Sequence, residues 1–289
     1  MLLCLFIAVG CERNINTVKS EFLLDTYVTI TMSGKFNEDG LFDALREVSA
    51  AADECYSKPF SEINNPLLSD MSHKGENLRE IYGDELDFSI GALTKLWGIS
   101  KGTQALPSPE EINNALKDKR YFDPGAIAKG YALDKAYSYL SESDATGYSV
   151  ISAESSILLY GKKPDGENFL TAIKDPLIPG SYIGFIETEA AFISTSGNSE
   201  RYSEIDGKRY GHIFDTKTGY PIETDFASVT VIVPAFTPDG GIMSDFLSTL
   251  IFMNGTAGLD TFSEYEGFTF IAVDKAGKVY GNEELFPIE

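Results

Sequence analysis

Cysteine, histidine, tryptophan and basic residues are all scarce in this chain of 289 residues: three Cys, two His, one Trp, and 23 Lys plus Arg against 44 Asp plus Glu. A formal charge of −21 excludes nucleic acid as a partner, because so few cations would have to outweigh a repulsive field before they could hold phosphate backbones. Three cysteines exclude a disulfide scaffold. Long apolar runs are missing too, and the one at the N-terminus, Met1 to Gly10, is too short to cross a bilayer as a helix. No segment is repeated or low in complexity, and no Pro/Ser/Gly linker divides the chain. What is present, 43% hydrophobic residues with 19 Phe and 15 Tyr, is the composition of a globular protein with a substantial core.

The N-terminal run ends in Ala8-Val9-Gly10-Cys11 and gives way to the polar Glu12-Arg13-Asn14. Small residues ahead of a cysteine resemble a bacterial lipoprotein signal. Residues 1–11 are then the signal peptide with its lipidated Cys11, and 12–289 form the working domain, exported and tethered to a membrane without spanning it. No Lys or Arg precedes the run, a departure from a complete signal that points to a start codon upstream. Glu12 resembles no strong inner-membrane retention signal, which leaves the periplasmic and cell-surface sides both open. Cys55 remains as the lone thiol. It shares helical spacing with Leu45, Val48 and Ala52, which predicts a small core residue rather than a nucleophile.

Periodicity predicts a strand over Phe22 to Met32, a helix over Leu41 to Cys55, a loop over Ser57 to Asp70 and helical character over Ile90 to Trp97. A further helix begins at Pro109, with Ser108 as its cap. Ala132, Leu133, Ala136, Tyr137 and Leu140 form one apolar helical stripe. Strands follow over Tyr148 to Tyr160, Phe169 to Lys174, Ser181 to Glu187, Ala190 to Thr195 and Ser228 to Pro234, then a helix over Ser244 to Phe252 and the strands Phe268 to Asp274 and Gly277 to Tyr280. Without a βαβ rhythm this order predicts an α+β fold with antiparallel sheet.

Four stretches carry chemistry. Asp123-Pro-Gly-Ala-Ile-Ala-Lys-Gly-Tyr-Ala-Leu-Asp134 sets a carboxylate, a glycine turn and Lys129 ahead of a helix, where N–H groups and the positive dipole end suit a phosphate. An ordinary loop entering a helix reads the same way. Thr195-Ser196-Gly197 ends an apolar strand in hydrogen-bonding residues, at a ligand site or a simple turn. Gly211-His212-Ile213-Phe214 leads into Asp215-Thr-Lys-Thr-Gly-Tyr-Pro221 and holds one of the two histidines, a candidate base near neutral pH. His73, in Ser72-His73-Lys74-Gly75, is expected in an exposed loop. Asp245 and Thr249 lie one helical turn apart, and their hard, incomplete oxygen set suits Mg²⁺ completed by phosphate, although a helix cap would use the same residues.

Taken in order, Leu24-Asp25-Thr26, Ser61-Glu62-Ile63, Asp87-Phe88-Ser89-Ile90-Gly91, Asp123 to Asp134, Lys174-Asp175-Pro176, Thr195-Ser196-Gly197, His212 to Pro221 and Ser244 to Thr249 resemble the ApbE family of FAD:protein FMN transferases. The resemblance implies an ApbE-like α+β fold of two packed lobes, with mixed or antiparallel sheets, flanking helices and FAD between the lobes. It implies Mg²⁺ held by Asp245, Thr249 and the Ala126 carbonyl, and Asp123 and Lys129 close to the nucleotide. Leu24, Phe88, Ser89, Ile90, Thr195, Ser196 and Ile213 would complete the FAD pocket. His212 matches the family's candidate base. In the family, a Thr or Ser hydroxyl of a partner protein attacks the FMN phosphate and AMP leaves; here the acceptor would be an exported flavoprotein subunit. Two alternatives use the same fold: Mg²⁺-dependent hydrolysis of FAD to FMN and AMP, and a non-catalytic flavin-binding surface lipoprotein.

Two departures from the family pattern stand out. The segment from Glu111 to Asp123 is short where the family usually carries extra strand, and Ile151-Ser-Ala-Glu-Ser155 replaces a usual Gly-Gly-Asn or Gly-Gly-Asp turn. Glu154 brings a side chain and a negative charge where close backbone approach is expected.

Overall fold

The computed structural model describes residues 17–99, 105–197, 202–283 and 285–286. Cys11 and the signal segment lie outside them. An antiparallel sheet of eight strands, in the order β1-β2-β3-β4-β7-β10-β11-β12, forms the frame. Its strands are β1 (Thr17–Leu23), β2 (Thr26–Lys35), β3 (Thr146–Ala153), β4 (Ser156–Gly161), β7 (Ala191–Gly197), β10 (Phe226–Pro234), β11 (Thr269–Asp274) and β12 (Val279–Gly281). Two hairpins stand apart from it, β5 (Phe169–Lys174) with β6 (Tyr182–Thr188) and β8 (Tyr202–Ile205) with β9 (Lys208–Gly211).

Helices α1 (Glu38–Cys55), α5 (Ala128–Glu142) and α6 (Gly240–Asn254) share the largest core with one face of the sheet. Alternation decides which side chains they meet: Val28, Ile30 and Met32 of β2 are buried against the helices. Tyr148, Val150 and Leu159 belong to a second cluster with Phe169, Ile173 and Ile186 of the β5–β6 hairpin. A third, smaller cluster joins Leu93 and Trp97 of α3 (Gly91–Trp97), Ile112 of α4 (Pro109–Lys117), and Phe214. Helices α2 (Pro66–Tyr82) and α7 (Leu259–Ser263) complete the set.

The fold is α+β with antiparallel sheets, as expected, and the differences are local. The predicted strand from Phe22 is the hairpin β1–β2, whose two-residue loop, Leu24-Asp25, has φ of 55° and 57°. Tyr148 to Tyr160 is likewise the hairpin β3–β4, turning at Glu154-Ser155 with Glu154 at φ 62°. Residues 66–70 are helical rather than loop. The Asn65 side chain accepts the Leu67 N–H at 3.0 Å and Pro66 opens α2, a good N-terminal signal inside a polar stretch. His73 is exposed as expected, but on α2. Ser108 caps α4 through a full capping box with Glu111. The short segment that follows is stitched down, with Phe60 N–H donating to the Arg120 carbonyl (2.8 Å), Gly91 N–H to Tyr121 (3.0 Å) and Asp123 N–H to Phe88 (2.7 Å).

Candidate active site

Helix α6 is buried over its whole first three turns, yet it carries Ser244, Asp245, Ser248 and Thr249. These polar groups are satisfied by neighbours, as burial demands. Ser244 Oγ meets Ser194 Oγ of β7 at 2.9 Å, and Ser196 Oγ of the same strand lies 2.9 Å from both Ser248 Oγ and Thr249 Oγ1. Asp245, 4% exposed, accepts the Gly130 N–H at 3.0 Å on Oδ2 and the Ser156 hydroxyl at 3.1 Å on Oδ1. The Lys129 ammonium stands 3.8 Å from the same Oδ1.

That arrangement changes the reading of the helix start at 123–134. Ile127 and Ala128 both donate their N–H to the Pro124 carbonyl, and Gly130 donates to Asp245, so an acidic side chain of the protein already occupies the first turn of α5. Gly125 does not adopt a left-handed φ; its N–H closes an Asx turn onto Asp123 Oδ1 at 2.8 Å. Asp123, 9% exposed, also accepts the Thr94 hydroxyl on Oδ2.

A cleft of about 590 Å³ opens here, of the size that takes a sizeable organic ligand. Its wall holds Asp123, Ala126, Lys129, Thr195, Ser196, His212, Ile213, Asp245 and Thr249, with Phe88 and Ile90. Segments distant in sequence thus converge. His212 is half-buried at the end of β9, and the chain after it is locked by the turn 215–221. In that turn Asp215 accepts the Lys217 N–H (2.9 Å) and the Thr218 hydroxyl (2.8 Å), Gly219 sits at φ 74°, and the Gly219 carbonyl accepts the Trp97 indole N–H at 2.8 Å. The Thr-Gly-Tyr-Pro run therefore anchors the histidine to the third cluster.

Two predicted positions fall off the cleft wall. Leu24, turned by its left-handed φ, packs on the main core and donates its N–H to Ser49 Oγ at 3.0 Å; Asp25 lines the cleft instead. Ser89 gives its N–H and its hydroxyl to Asp87 Oδ1 at 2.8 and 2.6 Å, and Asp87 is the wall residue. Sequence reasoning missed Thr94, which lines the cleft, whereas Glu154, whose turn departs from the family pattern, does reach the cleft wall. Thr94 carried a signal, one helical turn after Ile90 on a helix already suspected. Glu154 Oε2 accepts the Thr26 hydroxyl at 2.9 Å, linking the β3–β4 turn to the β1–β2 hairpin.

Cys55 is fully buried and its thiol is pushed up to about 12, by burial first and then by the nearby Asp123 carboxylate, so it is inert near neutral pH. Asp134, at the far end of the 123–134 motif, is 8% exposed and accepts the N–H groups of Gly241 (2.7 Å) and Ile242 (2.8 Å). Burial holds its carboxyl up at about 7 despite those bonds. Among the described residues no group of three or more His, Cys, Asp or Glu is placed to hold a metal.

The model of the ApbE family matches residues 24–271. The FAD:protein FMN transferase of Vibrio cholerae is 33% identical over 216 residues, which is 67% of this chain and 64% of the relative. That of Haemophilus influenzae is 29% identical over 227 residues, 68% of this chain and 64% of the relative. The chain thus spans slightly less than two thirds of the length of these relatives. A crystal structure of an ApbE protein from Thermotoga maritima superposes with a TM-score of 0.76 at 28% identity, covering 91% of this chain and 96% of that one. The Vibrio cholerae flavin transferase ApbE shares the fold, with a TM-score of 0.75 at 22% identity over 92% of this chain and 96% of that one. With a family model matched over most of its length, this chain belongs to the ApbE family.

Proposed function

We propose that the chain transfers the FMN half of FAD to a Thr or Ser hydroxyl of an exported flavoprotein subunit, with release of AMP and with Mg²⁺ as cofactor. The observation that carries this reading is the convergence of Asp123, Lys129, His212, Asp245 and Thr249 on one cleft. Relatives named FAD:protein FMN transferase support it.

The donor set fits a magnesium ion that is shared with its substrate. Asp245, Thr249 and Ala126 bring oxygens to one wall, one of them a carboxylate, and the set is too small for a closed protein cage. These three residues would hold the ion, which would neutralise charge on the pyrophosphate as transfer proceeds. Lys129, half-buried beside Asp245, adds a positive charge to the same cleft. In the transfer step the acceptor oxygen bonds to the FMN phosphorus and the anhydride P–O bond to AMP breaks. His212 takes the hydroxyl proton and AMP departs with the bridging oxygen.

Cys11 is proposed as the lipid attachment site, tethering the protein on the periplasmic or cell-surface side. Labelling with a palmitate analogue checks this: wild type takes the label and Cys11→Ala does not. For the reaction, purified protein is incubated with FAD, Mg²⁺ and a peptide bearing a flavinylation motif, and peptide mass and AMP are followed. Equal yields of FMN-peptide and AMP establish transfer. AMP alone establishes hydrolysis, and neither product, despite bound flavin, establishes a binding protein.

A further inference from the structure

Just behind the proposed cation ligands, four oxygens close a ring between β7 and α6. Ser248 Oγ donates to the Asp245 carbonyl at 3.0 Å and Thr249 Oγ1 to the same carbonyl at 3.2 Å, while Ser196 Oγ lies 2.9 Å from each of the two hydroxyls. Three hydroxyls bring three protons to four contacts. With two protons on the Asp245 carbonyl, the one left to direct is that of Ser196, and it has two protein acceptors, Ser248 and Thr249.

These acceptors are not equivalent. Thr249 lines the cleft, whereas Ser248 is fully buried (0% exposed) and does not. A hydroxyl hydrogen aimed at Thr249 Oγ1 would place positive charge on the oxygen that a cation must approach. The same hydrogen aimed at Ser248 leaves that oxygen's lone pairs free. We propose that Ser248 is a positioning residue for the cation site, accepting the Ser196 proton so that Thr249 presents an unencumbered oxygen to Mg²⁺. This rests on the metal-dependent reading above and assigns a role to a side chain that never touches the ligand.

The prediction has a sign that loosened packing would not produce. Ser248→Ala removes the buried acceptor and turns the Ser196 proton toward Thr249, so the cation should bind more weakly. Removing Ser196 as well, in the double variant with Ser196→Ala, deletes the competing donor and should restore binding. The measurement is a Mn²⁺ titration followed by EPR, on protein holding FAD and without acceptor peptide. Ser248→Ala should lose about ten-fold in Mn²⁺ affinity, the range for residues that orient metal ligands. The double variant should return to within about two-fold of wild type, a non-additive result expected for coupled neighbours. FAD affinity in EDTA should not change in Ser248→Ala. A wild-type Mn²⁺ affinity in Ser248→Ala, a double variant as weak as the single one, or a matching loss of metal-free FAD affinity would overturn the inference while leaving the transferase reading in place. Absence of Mn²⁺ binding by the wild type would overturn the metal reading and this inference together.

Discussion

Gly130 and Gly241 meet where α5 and α6 cross: a Cβ on Gly130 would stand 2.1 Å from the Gly241 carbonyl oxygen, and one on Gly241 2.3 Å from the Gly130 carbonyl oxygen. Only glycine allows backbones so close. The contact also lets each helix serve the other. Asp245 of α6 accepts the Gly130 N–H at the start of α5, and Asp134 of α5 accepts the Gly241 and Ile242 N–H groups at the start of α6. Acidic side chains at these helix N-termini supply oxygens to N–H groups that the helices themselves leave unpaired. The clasp fixes the buried carboxylate that faces the cleft.

Gly130→Ala should therefore damage both stability and the site. The added methyl meets backbone rather than a flexible side chain, so relief requires moving a helix. Overpacking of this kind costs about 1–3 kcal/mol. Urea unfolding should report that loss, and Mn²⁺ affinity should fall with it because Asp245 moves with α6. A wild-type midpoint would show that the two helices are not held as close as the contact requires.

Asp134 predicts a pH dependence of stability whose sign follows from its raised pKa. With the folded carboxyl at about 7 against an ordinary 3.8, the native state keeps a proton that the unfolded chain releases. Burial is the leading cause, opposed by the Ile242 and Gly241 N–H groups and reinforced by Asp239. The neutral group's contribution is thus complete below about pH 4, falls as pH rises to about 7 and is level beyond. Asp134→Asn cannot titrate. The unfolding free energy of wild type minus that of Asp134→Asn should therefore decrease between pH 4 and pH 7, and a constant difference across that window would refute the raised pKa.

How far the sequence disclosed all this depends on the range of each interaction. The apolar stripe of α5, the Ser108 cap of α4 and the one-turn spacing of Asp245 and Thr249 are local, and all are present as read, the Glu111 half of the capping box being added by the structure. The β8–β9 hairpin was missed although its loop, Asp206-Gly207 at φ 51° and 77°, is a favoured turn dipeptide. Leu24-Asp25 adopts a similar turn with a leucine in it, where no local preference announces one. The glycine crossing was beyond reach, since its partners are 111 residues apart and neither glycine needs a special φ. Asp134 had the same difficulty: an acid on an amphipathic helix reads as solvated until the helix it caps is known.

Asp245→Ala and His212→Ala should separate two contributions to the proposed reaction. Removing the Asp245 carboxylate takes away the one anionic donor of the cation set, so turnover should lose its Mg²⁺ dependence along with its rate. His212→Ala keeps that donor set and should retain Mn²⁺ binding while peptide flavinylation slows by about 10²–10⁴, the usual contribution of a positioned base. Single-turnover assays on flavin-loaded protein distinguish the cases. Unchanged Mg²⁺ dependence in the first variant, or a wild-type transfer rate in the second, would reject the corresponding role.

Glu154→Gly tests the departure at the β3–β4 turn. Glutamate at φ 62° carries left-handed strain of roughly 1–2 kcal/mol, which glycine removes. The substitution also deletes the Glu154–Thr26 hydrogen bond, with a net contribution of about 1 kcal/mol. The two effects oppose each other, so the melting temperature should move little. The cleft, however, loses one of the carboxylates that line it, Asp25, Asp87 and Asp123 among the others, and repulsion toward a pyrophosphate falls with it. FAD should therefore bind more tightly to Glu154→Gly, with the gain greatest at low ionic strength where screening is weakest. Fluorescence titration at two salt concentrations checks both statements. Equal affinity for wild type and variant at low salt would place the bound phosphates beyond reach of this turn.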